Sequence, residues 1–167
     1  ELGRRLVESP DRFSLLTPQA HLRAWLRFAD EANFREQALA GARTLDHRTE
    51  DAVDMLNQDR HAADTVLHYL PVLDLEATGS LCAAGLTVLY DRLSQAYRPA
   101  PNDKRPYSEL EARLGAAAPL TALRWLASHG CDADAALEEA EELVRAYQES
   151  PEQAAMLASL ERVHRNR

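Results

Sequence analysis

The chain has 167 residues, 46% of them hydrophobic and 28% charged, with a formal net charge of −8. That balance belongs to a globular protein and excludes a disordered one, and a domain of this size removes roughly 70% of its unfolded surface from water without help from a metal or a disulfide. An acidic chain whose basic residues are scattered among acids lacks the clustered charge that nucleic acids or anionic membranes reward, and no apolar run approaches the roughly 20 residues of a bilayer span.

Leu and Ala dominate the apolar set, Ile is absent, and Lys104 is the only lysine among the basic residues. Straight and small side chains lose little rotamer freedom in a helix, so this composition favours helices throughout. It also carries the codon bias of a GC-rich bacterial genome. The chain opens ELGRRLVESP, without Met, which reads as N-terminal residues missing from it. A portion of a larger, regulatory protein is therefore one expectation.

Short helices are expected over residues 2–7 and 10–16, and a longer one from Pro18. Ser9-Pro10, Thr17-Pro18 and Ser150-Pro151 each place a hydroxyl at a cap and Pro at the first helical position. Leu22, Trp25, Leu26 and Ala29 follow helical spacing, and around Asp30–Asn33 the stripe changes phase, marking a break or kink. Thr49 is the expected cap of the next helix, which runs to Pro71 with a core stripe of Ala52, Leu56, Ala63, Val66, Leu67 and Leu70. The stretch from about 80 to 97 is apolar almost all round over residues 81–90 and is expected at the centre of the fold.

RPAPNDKRPY (98–107) is the one real loop and a point where the chain could divide into two subdomains. Ser108 should cap SELEARLG, a helix should span 118–129 with Gly130 as its left-handed stop, and Asp134 should cap the next. A final helix over 151–165 makes an antiparallel hairpin with it across a Ser-Pro turn. Period-two alternation is missing, so no strand is expected. The reading is an all-α, single compact bundle or array of about seven to eight helices over residues 1–167.

The chemistry-bearing candidates are few. His61, Asp64 and His68 in DRHAADTVLHYL share one side of a helix at spacings a metal site could use. Helical phase turns that side away from the core stripe, toward solvent. A mononuclear site there would need a third ligand from elsewhere, such as His21, His47 or His129. Cys82 and Cys131 have no CxxC pairing and read as free, buried thiols in a reducing cytoplasm. Trp25 and Trp125 fall on core stripes, and Glu138, Glu139, Glu141 and Glu142 read as a solvated acidic face. No nucleophile elbow or Gly-rich phosphate cradle occurs, so no catalytic set and no cofactor are expected.

Tyr97, Arg98, Lys104, Arg105 and Tyr107, in and beside the Pro-rich loop, are the candidates for contacting a partner, since Tyr and Arg are favoured at binding hot spots. The expectation is a non-enzymatic interaction module (an adaptor, chaperone, secretion-associated factor or inhibitor) whose partner is another protein or a second copy of this chain. The alternative is a metal- or small-ligand-binding bundle centred on His61, Asp64 and His68.

Overall fold

In the computed structural model the described residues are 12–115 and 118–166. The helix expected over 2–7 lies outside them, as do residues 10 and 11 of the one expected over 10–16; of the remainder of that stretch only Arg12 and Phe13 are helical. Among the described residues the fold is all-α, built from nine α-helices and one 3₁₀ turn. They are α1 (Leu22–Ala29), α2 (Arg35–Arg43), α3 (Arg48–Leu56), α4 (Arg60–Tyr69), α5 (Gly79–Ser94), α6 (Tyr107–Arg113), α7 (Ala118–Ser128), α8 (Asp134–Arg145) and α9 (Pro151–Arg165).

The break expected near Asp30–Asn33 separates α1 from α2, which pack as a hairpin. One break was not expected. The helix read as continuous from Thr49 to Pro71 is two, because Asn57 ends α3 and the Asp59 carboxylate accepts the Ala62 N–H to start α4. That capping bond also holds the Asp59 carboxyl below its ordinary range. Thr49 is not a cap: it lies inside the first turn, where its hydroxyl accepts the Glu76 N–H. Likewise α6 starts at Tyr107 after Pro106, and Asp134 is the first residue of α8 rather than its cap. Ser150 does cap α9, accepting the Gln153 N–H, and Thr78, at the turn before α5, caps that helix by accepting the Leu81 N–H.

The core stripe assigned across α3 and α4 is buried at every position, from Ala52 to Leu70. Helix α5 packs on α3, α7 and α8, but not as the enclosed centre its composition implied. Its buried positions are Leu81, Gly85, Leu89 and Leu93, while Ala83, Thr87 and Tyr90 face outward. Small and amphipathic residues tolerate that exposure, so an apolar count overstates burial. Helix α7 has more neighbours, touching α4, α5, α8, α9 and the 3₁₀ turn. At Gly85 a Cβ would sit 3.0 Å from Leu126 Cδ1, so the missing side chain lets α5 and α7 approach closely.

Cys82 and Cys131 form a disulfide joining α5 to the connection between α7 and α8. The expectation of free thiols is therefore wrong. Lone, widely separated cysteines carry no spacing signal, and only the fold brings these two together. The Pro-rich loop is tied down at both ends. Tyr147, fully buried, donates its hydroxyl to the Tyr97 carbonyl, and Gln148 N–H bonds the Arg105 carbonyl. No helix of the described residues is long and apolar enough to cross a membrane.

Candidate binding groove

Helix α4 carries Arg60, Asp64 and His68 at four-residue steps, hence on one stripe. The stripe is exposed, as helical phase requires, yet it is not bare. It forms one wall of a groove of about 710 Å³. The opposite wall comes from Arg92 and Gln95 at the end of α5, Tyr97 just beyond it, and Arg113 in the last turn of α6. Leu67 and Leu110, both buried, belong to its apolar floor, with Pro119 of α7 at one end.

Three guanidiniums line this space in a chain that is otherwise acidic. Arg92 is the most enclosed, its side chain 14% exposed, and donates from Nε to Asp64 Oδ1 at 3.2 Å. Arg60 Nε lies 3.9 Å from the other oxygen of Asp64. Arg113 Nη2 donates to Glu109 at 3.1 Å, and its Cζ stands 4.8 Å above the Tyr97 ring. A guanidinium has five N–H donors, so these pairings orient the three groups while engaging only part of what each can offer.

The candidates expected from sequence are placed differently from one another. His61 and His68 are both exposed, and His61, Asp64 and His68 do not converge on a common point. Asp64 instead bridges Arg60 and Arg92. Of the loop candidates, only Tyr97 reaches the groove, 45% exposed. Arg98 pairs with Glu139, Arg105 stands 3.6 Å from Asp103, and Lys104 is exposed. Tyr107 points inward, 4% exposed, so it cannot be offered to a partner. Burial pushes its hydroxyl up to about 12. The acidic face on α8 is only half solvated: Glu138 and Glu142 are exposed, but Glu141 is buried beside His164.

Three ligand-type groups that do converge among the described residues are His21, Asp51 and Asp54. Their hydrogen bonding identifies a different role. His21 caps α1, its Nδ1 accepting the Arg23 N–H at 3.0 Å. An Nδ1 that accepts leaves the ring proton on Nε2, the nitrogen that stands 3.5 Å from Asp51 and 3.9 Å from Asp54. The cluster is a polar clasp between α1 and α3, closed by the Leu22 N–H bond to Asp51. Asp51, 8% exposed, is its hub: Oδ2 accepts Leu22 N–H at 2.9 Å and faces His47 Nδ1 at 2.6 Å. The bond to Asp51 is the main cause of the raised His47 pKa.

Sequence reading missed the groove's Arg60, Arg92 and Arg113 because they lie on three helices, with no shared spacing. His129 stacks on Trp125 at a centroid distance of 4.0 Å and belongs to neither group. No family model, curated protein or solved structure matches this chain.

Proposed function

We propose that the chain is a non-enzymatic protein–protein interaction module of adaptor, chaperone, secretion-associated or inhibitor type. Its groove between α4, α5 and α6 receives an acidic partner segment that also carries apolar side chains. The observation behind this reading is the set of three oriented guanidiniums around an apolar floor. Planar guanidiniums match carboxylates in a bidentate manner, and Arg beside Tyr is favoured at binding hot spots. The net charge of −8 does not oppose this, because at physiological ionic strength charges beyond about 8 Å are largely screened. The disulfide favours an oxidising compartment over the cytoplasm expected from the sequence.

A second reading, a small organic anion in the same groove, draws on its volume of about 710 Å³, within the usual range for small-molecule sites. Calorimetric titration separates the two, using a hexapeptide of alternating Glu and Leu and, separately, glutarate. The module reading expects saturable peptide binding, weakened at least tenfold (about 1.4 kcal/mol) in the Arg60→Glu/Arg113→Glu variant, with glutarate far weaker. Comparable affinity for glutarate favours the small-ligand reading, and the absence of binding by either probe removes both.

A further inference from the structure

Residues 12–21 lead into α1 and contact the helices near both ends of the segment. At one end the Phe13 ring stacks on Phe34 at 5.1 Å and meets Phe28 and Trp25 edge-on at 5.3 and 6.2 Å. At the other, the Pro18 carbonyl faces His47 Nε2 at 3.2 Å, and His21 joins Asp51. Both ring nitrogens of His47 therefore face oxygen acceptors: Asp51 Oδ2 at 2.6 Å and the Pro18 carbonyl at 3.2 Å. Only the doubly protonated ring satisfies both, because a neutral imidazole has one N–H to donate.

We propose that residues 12–21 form a pH-operated strap: His47, when protonated, ties the Pro18 carbonyl to the Asp51 carboxylate, and its deprotonation releases the segment from α3 and loosens Phe13 over the Trp25–Phe28–Phe34 cleft. The surroundings of His47 support this direction. On its own helix it faces Asp51 and Glu50, both acidic. From the N-terminus of α1 it meets His21, which shares Asp51 and approaches Asp54. The guanidiniums on these elements turn elsewhere, Arg23 toward Asp59 and Arg48 toward Asp74. The strap is thus fully latched below the ordinary imidazole value of 6.5 and opens as pH rises through the higher value His47 has in the folded chain.

The test is a proton NMR titration of the full chain from pH 5.5 to 8.5, with amide exchange measured alongside and corrected for its intrinsic pH dependence. The His47 ring, the Phe13 ring signals and the protection of Leu22 N–H should change with one midpoint, above 6.5. Leu22 protection should fall roughly three- to tenfold, the weight of one hydrogen bond. In His47→Ala, circular dichroism should be unchanged while Leu22 protection is low at every pH. The proposal is overturned if His47 titrates without a response at Phe13 and Leu22, or if the response persists at the same midpoint in His47→Ala. Should that variant fail to fold, the coincidence of midpoints in the unsubstituted chain decides alone.

Discussion

At the scale of single residues, several side chains join elements that their sequence positions keep apart. Asp51 takes the Leu22 N–H, 29 residues away. Tyr69 donates its hydroxyl to Asp30 at 2.6 Å, tying α4 to the end of α1, and burial together with that carboxylate pushes it up to about 12. None of this was legible in the sequence, since an acid in a helix's first turn suits the N-terminal dipole with no distant partner needed. Gly41 shows the same limit. A Cβ there would lie 2.1 Å from Trp25 Cζ3, so α2 must have no side chain where the indole of α1 rests. Gly41→Ala forces the ring to move and should cost about 1–3 kcal/mol in urea denaturation. An unchanged midpoint would show that the indole has another place to sit.

The elements themselves were the more legible level. Helical phase placed Ala52, Leu56, Ala63, Val66, Leu67 and Leu70 inside and His61, Asp64 and His68 outside, although the helix carrying them is broken at Asn57. Periodicity reports which face is buried and is insensitive to a short interruption that preserves that face. The capping hydroxyl of Ser150 was legible because a side-chain oxygen at a helix start, followed by Pro, has a single local task. Thr49 misled for the converse reason: its hydroxyl serves the backbone of Glu76, 27 residues on. Replacing Ser150 by Ala should cost about 1 kcal/mol, the usual weight of an N-cap. Hydrogen exchange in the first turn of α9 should rise with it, and equal protection in both proteins would show the cap to be dispensable.

Across the whole molecule, the Cys82–Cys131 disulfide and the groove arise only when distant segments meet. The disulfide closes a sequence separation of 49. For a loop of that length, chain-entropy reasoning assigns roughly 4 kcal/mol of stabilisation. Adding reductant should therefore lower the thermal midpoint by several degrees, and a midpoint insensitive to reductant would mean that this link contributes little. The groove combines two stretches that looked unrelated, DRHAADTVLHYL and the Tyr97 entry to the Pro-rich loop, and adds Arg92 and Arg113. Sequence could show that the Asp64 face pointed outward; it could not show that α5 and α6 would bring two more guanidiniums to meet it.

The groove reading is tested most directly by mapping backbone amide shifts while the alternating Glu–Leu hexapeptide is titrated into the disulfide-bonded protein. Binding there predicts saturable shifts at Arg60, His68, Arg92, Gln95, Tyr97 and Arg113, removed by Arg60→Glu/Arg113→Glu. Shifts confined to the acidic face of α8, or unaltered by the double substitution, would contradict it.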